Sequence, residues 1–324
     1  MNNSCKDCGV ELTWENRAIC TKCKAYICDD CSVKNKYKCA KCSIGVKIEL
    51  PESIRRSHIE DYKSCPYAFK LNVIDGIEKP QSALAHLGSD LHDLYEHVQL
   101  GDITIDELDS QTDWLFENYK EIYDEITLER MRSRADISNA SFKKLYPTLL
   151  ERKATYEERI YFPIADDLPQ VTIAYDRLET DEDGELHLVD WKTGKCMTGK
   201  KLTTDLHPAL YLKAIEHKYG KMPKTFTLIY LSDVDKKGNY KTRVFERVNN
   251  NEFKCTVRGK EYIQNIDEQI KVVKKIFSQM KNGHFSIPDK PDFFACKMCY
   301  FKEIGKCADA ETQRWLNVNF ERGL

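Results

Sequence analysis

The sequence predicts an α/β protein: a mixed sheet flanked by helices, with a helical cap and a small N-terminal zinc-binding module. Three observations predict it. First, Ala174–Lys195 reads AYDRLETDEDGELHLVDWKTGK, two alternating strand-like runs around an Asp-Gly turn. Second, apolar residues recur at spacings of three and four in stretches on both sides of that hairpin. Third, 14 of 324 residues are cysteine, and eight of these fall between positions 5 and 42.

At 324 residues the chain is long enough to bury a substantial core, so one large domain with a small appendage fits it. The expected division is 1–45, the eight-cysteine module, and 46–324, with a helical insert at about 84–154 and a cysteine cluster at 296–307. No apolar run reaches the roughly 18 residues of a membrane span. The opening Met1-Asn2-Asn3-Ser4-Cys5 lacks the apolar region of a signal peptide, so a cytoplasmic protein is expected. In that setting many cysteines point to metal rather than to disulfides.

In chain order, the first cysteines form four Cys-x-x-Cys pairs: Cys5 and Cys8, Cys20 and Cys23, Cys28 and Cys31, Cys39 and Cys42. Each pair offers two thiolates to a tetrahedral zinc, so the eight fit two closed structural sites, paired sequentially or interleaved. The segment has too few apolar residues to fold without metal. Lys34, Lys36, Lys38 and Lys41 near its end suit nucleic acid or an acidic protein partner.

Ile54–Asn72 reads as a helix with Ser57 as N-cap and Glu60 three residues on, interrupted at Cys65-Pro66. Ala83–Leu100 is an amphipathic helix on the stripe Leu87, Leu91, Leu94, Val98, with His92 beside it. His86 and His97 read as surface residues. Ile105–Tyr123 and Ser138–Glu158 read as further helices, and Glu157–Ile164 as a strand leading into the hairpin. In the hairpin, Asp176 lies on the first strand, and period-two alternation puts Asp190 and Lys192 on one face of the second, with Trp191 on the other. Two carboxylates and a lysine together suit a divalent cation and a charged phosphoryl transition state, or else simply face water.

Leu206–Tyr219 follows as a helix capped by Asp205. Phe226–Leu231 and Lys241–Val248 are strands around a Lys236-Lys237-Gly238-Asn239 turn. Val257–Met280 reads as one long helix on Ile263, Ile266, Ile270, Val273, Phe277 and Met280. Cys296, Cys299 and Cys307 then offer three thiolates. Cys196 and Cys255 read as ordinary thiols. The net charge of −2 argues against indiscriminate nucleic-acid binding, so any nucleic-acid path is a local basic one. Lys192, Lys195, Lys200 and Lys201 are candidates for it, the last three being equally at home in a solvated loop.

Asp176 followed by Val189-Asp190-Trp191-Lys192-Thr193-Gly194 resembles the core of the PD-(D/E)XK nucleases. The likeness is to the RecB-like branch, which includes the iron–sulfur nucleases of CRISPR adaptation and of AddAB-type recombination enzymes, and it covers about 54–310. It implies a restriction-endonuclease-like sheet, with Asp176 as the first acidic position and Asp190-Trp191-Lys192 as the (D/E)XK triplet. Gly88 and His92 match the family's Gly-x-x-x-His, which implies that His92, Asp176, Asp190 and the Trp191 carbonyl hold magnesium or manganese. Lys192 would orient water or stabilise the transition state, and Tyr211 would position the strand. Tyr211 matches a Gln-x-x-x-Tyr element in which His207 replaces the glutamine.

The resemblance also assigns Cys65, Cys296, Cys299 and Cys307 to a 4Fe-4S cluster of structural role, a third four-thiolate zinc site being the alternative. The N-terminal pairs resemble FYVE- and RING-type cross-brace modules. That implies Cys5, Cys8, Cys28 and Cys31 on one zinc and Cys20, Cys23, Cys39 and Cys42 on the other. The implied activity is a metal-dependent DNA nuclease, an exonuclease acting on ends or single strands in replication, recombination or repair. A non-catalytic adaptor on the same scaffold, binding DNA or protein, is the reading from another class. The complete Asp176, Asp190 and Lys192 set argues against it.

Overall fold

The computed structural model describes residues 4–5, 17–19, 26–28, 49–285, 287–288 and 296–307. The chain divides into two compact units: Met1–Glu52, Ser57–Lys79 and Lys275–Leu324 in one, Ser53–Arg56 and Pro80–Lys274 in the other. The expected boundary near residue 45 lies outside the described residues.

The larger unit is built on an eight-stranded mixed sheet. Its strands are β3 (Ser53–Arg55), β4 (Lys153–Phe162), β5 (Gln170–Thr180), β6 (Leu186–Lys192), β7 (Thr225–Val234), β8 (Tyr240–Asn249), β9 (Glu252–Val257) and β10 (Lys260–Asn265). They lie in the order β10-β9-β8-β7-β6-β5, with β4 along one edge of β5. The other edge of β5 is shared: β6 pairs with it antiparallel from Thr180 to Arg177, and β3 pairs with it parallel from Gln170 to Thr172. The hairpin turn forms as the Asp-Gly signal requires. Asp181 Oδ1 accepts the amides of Asp183 and Glu185, and Gly184 takes φ 74°, a left-handed value free of strain only for glycine.

Three helices precede the hairpin strands β5 and β6: α3 (Ala83–Leu100), α4 (Leu108–Tyr119) and α5 (Glu125–Leu149). Their buried faces close on Val189, Trp191, Ile229 and Leu231 of β6 and β7 in one apolar core, with the Trp191 indole edge-on to Phe142. Trp191 therefore points away from Asp190, as the alternation requires. Helix α7 (Leu206–Tyr219) is capped by Asp205, which accepts the His207 amide at 2.9 Å, and its first ten residues are almost all buried. A short helix, α6 (Lys201–Thr204), precedes it.

Two expected elements are corrected. Ser138–Glu158 is not a helix: α5 begins at Glu125, where Asp124 caps the Thr127 amide at 2.7 Å, and Lys153–Glu158 pairs with β5. Nor is Val257–Met280 one helix. Arg258 and Gly259 both take positive φ, 52° and 77°, which closes a two-residue turn between β9 and β10. Helix α8 (Ile266–Lys281) starts only after it, and Ile263, counted on the apolar stripe, is 43% exposed on β10. Cys255 accordingly lies buried on strand β9 rather than before a helix.

In the smaller unit, α1 (Arg56–Ser64) begins one residue before Ser57, so Ser57 is inside the helix and not its cap. It leads into α2 (Pro66–Phe69) and a π-turn at Lys70–Ile74. Tyr62, Phe69 and Phe285 form a ring cluster, and the Tyr62 hydroxyl donates to the His284 carbonyl at 2.6 Å. Near the N-terminus β1 (Arg17–Ile19) and β2 (Tyr26–Cys28) pair antiparallel. Cys5 and Cys28 are buried, while Cys8, Cys20, Cys23, Cys31, Cys39 and Cys42 lie outside the described residues. No described helix is long and apolar enough to cross a membrane.

Candidate functional site

The hairpin ladder stops at Arg177↔Val189, where β6 parts from β5 while keeping its parallel pairing with β7, which runs from His187↔Thr225 to Lys192↔Tyr230. A fork opens between the two strands. The Trp191 amide, past the end of the ladder, donates to Asp176 Oδ2, so a carboxylate replaces a strand carbonyl. On the opposite branch Asp190, 1% exposed, forms an ion pair through Oδ2 with the Lys192 ammonium. His207 Nε2 lies 3.4 Å from Asp190 Oδ1. Burial opposes ionisation of Asp190, yet Lys192 and His207 hold its carboxyl below the usual carboxylate range. Burial, together with the Lys192 charge, pushes His207 down to about 4 and keeps it neutral. Tyr211 packs edge-on against His207 at 4.2 Å and is 8% exposed, and burial raises its hydroxyl so that it stays protonated.

His92 reaches the fork from α3. Its Nδ1 is 3.1 Å from Asp176 Oδ1. Burial, the largest single influence, disfavours its protonated form, but the Asp176 charge and hydrogen bond, with the Asp190 charge, together outweigh burial and the opposing Lys192 ammonium and raise its pKa. Gly88, one turn earlier, explains how the helix comes so close: a Cβ there would sit 2.8 Å from Thr193 Oγ1. Gly88→Ala is expected to displace that turn and slow turnover about tenfold although alanine is the better helix former. Removing the obstructing hydroxyl in Gly88→Ala/Thr193→Ala should restore the rate. Equal rates for wild type and the single variant would show that the close approach is immaterial.

One residue of the site escaped the sequence reading. Glu157 carries a carboxylate oxygen that lies, with the nearest donor atoms of His92 and Asp176, within a group spanning at most 4.8 Å. The β4–β5 register, Tyr156↔Arg177 and Glu158↔Tyr175, sets Glu157 opposite Asp176. Glu157 itself takes φ 37°, rare for a residue with a side chain. Burial and the neighbouring Asp176 and Glu96 carboxylates push it up to about 7. Its signal in the sequence was only that it precedes Asp176 on the neighbouring strand. Asp190 is not part of this three-residue group. An imidazole with two carboxylates is a donor set suited to a hard divalent ion, so the residues present fit magnesium or manganese.

Lys195, Lys200 and Lys201 are exposed on the segment after β6. Beside that segment a groove of about 390 Å³ is lined by Arg130, Ser133, Arg134 and Ser232 among others, and Arg134 donates to the Thr193 carbonyl at 2.7 Å.

In the smaller unit Cys65, Cys296, Cys299 and Cys307 line one cavity of about 280 Å³. Cys65 is the N-cap of α2: its Sγ accepts the Ala68 amide at 3.4 Å, and Pro66 occupies the first helical position, where no amide is needed. Cys299 stands at the start of α9 (Tyr300–Glu303). Burial raises the Cys65 thiol, the amides of Ala68 and Tyr67 lower it, and Cys299 and Cys296 raise it further. Four sulfur donors lining one cavity fit a thiolate-bound metal or iron–sulfur group. Cys196 lies apart, its amide bound to Asp233 at 2.8 Å.

No curated protein matches the sequence. Among solved structures the chain is similar to "Crystal structure of SSO0001", with 12% identity, 67% of this chain and 94% of that chain covered, and a TM-score of 0.30, too weak a likeness to carry an argument. The family model described as the PD-(D/E)XK nuclease superfamily matches residues 56–305, which include the fork, His92, Glu157 and three of the four cysteines of the cavity, Cys307 lying just beyond it. By that match over most of its length, the chain belongs to the PD-(D/E)XK nuclease superfamily.

Proposed function

We propose that the protein is a metal-dependent DNA nuclease, an exonuclease acting on ends or single strands, of the RecB-like iron–sulfur branch. The observation that carries the reading is the fork itself, where Asp176, His92, Asp190 and Lys192 meet at the end of one broken ladder. Members of the superfamily are usually nucleases that use divalent metals, and the donors here suit such an ion. When bound, the ion contributes Lewis acidity toward the scissile phosphate.

The chain's own residues do the rest. Asp176 and His92 are held by each other and by the Trp191 amide, so both are oriented in advance. The Trp191 carbonyl is the further donor that the family pattern assigns. Lys192, a quarter exposed, turns its ammonium from Asp190 toward an entering phosphate and stabilises the charge that develops there. Neutral His207 and Tyr211 wall the base of the site and exclude water from the back of Asp190. The Arg130–Arg134 groove and the exposed lysines after β6 give a local path for a phosphate backbone. The test is manganese-dependent hydrolysis of single-stranded DNA and of duplex ends by purified protein. Tight DNA binding with no hydrolysis under either ion would favour the adaptor.

The four-cysteine cavity is proposed to hold the 4Fe-4S cluster, with a structural task. The Tyr62–Phe69–Phe285 ring cluster brings the chain on both sides of the cavity together, and the cluster would lock it. Two zincs are proposed for the N-terminal module, where a protein partner or nucleic acid would dock. Cys65→Ser should abolish the brown absorbance of anaerobically purified protein and loosen its C-terminal segment to protease, while zinc content stays near two atoms per chain. Zinc in place of iron in the wild type would identify the alternative, a third four-thiolate zinc site.

A further inference from the structure

We propose that Glu157 is a direct ligand of the divalent cation, completing with His92 and Asp176 a three-donor site to which Asp190 contributes separately. The inference rests on the reading of the protein as a metal-dependent nuclease and names a ligand that the family pattern does not assign.

Four observations carry it. The nearest donor atoms of Glu157, His92 and Asp176 lie within 4.8 Å of one another, close enough for a single ion to be shared by small movements of the side chains. Two of the three are already fixed: His92 Nδ1 and Asp176 Oδ1 are 3.1 Å apart, and the second Asp176 oxygen is held by the Trp191 amide. The third is set by the sheet, since Glu157 stands opposite Asp176 in the β4–β5 register and so shares its face. Among the described residues the Glu157 carboxylate has neither a hydrogen bond nor an ion pair, though it is half-buried beside another carboxylate. Asp190, in contrast, is engaged by Lys192 and His207.

The three donors would hold the ion, and further ligands would come from water, from the Asp190 side and from phosphate oxygen. A carboxylate on β4 would also explain why β4 bends locally at the one residue whose side chain is needed: Glu157 is the residue of that strand with positive φ.

The test is manganese binding to the full-length protein without DNA, read by the loss of the free-ion electron paramagnetic signal, beside cleavage rates for the same preparations. Glu157→Gln, which keeps shape and removes charge, should weaken manganese binding at least about tenfold. Glu157→Gly separates coordination from folding. Glycine adopts φ 37° without strain, so this variant should unfold at the same or higher urea concentration while losing manganese affinity to a similar extent. A merely structural glutamate would move both readouts together. Manganese affinity unchanged in both variants, while His92→Gln and Asp176→Asn lose it, would overturn the assignment and leave the nuclease reading intact. A wild type that neither binds manganese nor cleaves DNA would overturn that reading and this inference with it.

Discussion

Asp190→Asn should lower the DNA cleavage rate by about three orders of magnitude or more, with the fold unchanged. The amide is isosteric, and the buried position keeps its neighbours, so the loss isolates charge. Asp190 is 1% exposed, and its negative form is sustained by the Lys192 ammonium and by His207. Removing that charge takes away a donor for the ion and leaves Lys192 without the partner that holds it at the fork. Single-turnover rates in manganese, with circular dichroism as the control on folding, measure the effect. Wild-type turnover in Asp190→Asn, after contaminating nuclease is excluded, would remove the fork from the chemistry. Lys192→Ala should reduce turnover far more than DNA affinity, because its contribution is to developing charge rather than to uniform binding.

Arg177→Met should destabilise the larger unit by about 3–5 kcal/mol, the largest stability effect expected of a substitution outside the fork. Arg177 neighbours Asp176 on β5 but faces the opposite way, and it is fully buried. Its guanidinium pairs with Glu179 at 2.7 Å and donates to the carbonyls of Leu149, at 2.6 Å, and Arg152, at 3.2 Å. Leu149 ends α5, so one of those bonds satisfies a carbonyl that the helix cannot. Methionine fills the volume but strands Glu179, 5% exposed, with only the half-exposed Arg152 as partner. Urea unfolding followed by tryptophan fluorescence gives the shift. Arg177→Met/Glu179→Leu should recover much of the loss, since a buried pair replaced whole costs less than one broken. A single variant within about 1 kcal/mol of wild type would mean that water or another cation takes over the guanidinium's place.

The β5–β6 hairpin was legible because everything that defines it is contiguous. Asp-Gly marks the turn, alternation sorts Asp190 from Trp191, and the triplet follows at once. Asp205 and the start of α7 were legible for the same reason, a side chain capping the amide two residues on. The parts that misled depend on partners far away in sequence. Lys153–Glu158 has helical composition, and it is strand because β5 offers it a ladder. Ile263, Ile266 and Ile270 keep helical spacing across a boundary where Arg258-Gly259 has already turned a hairpin, a turn whose first residue gives no local warning. Glu157 was hidden twice, at the overlap of a wrongly extended helix and a strand begun too late. The contact of His92 with Asp176 spans 84 positions, and only the family pattern tied them together.

The shared edge of β5 bears on how the molecule breathes. Between Thr172 and Arg177 neither β3 nor β6 pairs with that edge, although β5 has neighbours on both sides. Backbone amides near the middle of a sheet ordinarily exchange with solvent deuterium only on global opening, whereas ladder ends open by local fluctuation. That edge of β5, one strand in from the border of the sheet, is therefore expected to carry a fast-exchanging window between the β3-paired and β6-paired amides. The Trp191 amide, held by a side chain rather than by a strand, is the natural reporter in that window. Anything that draws the Asp176 carboxylate elsewhere would release it.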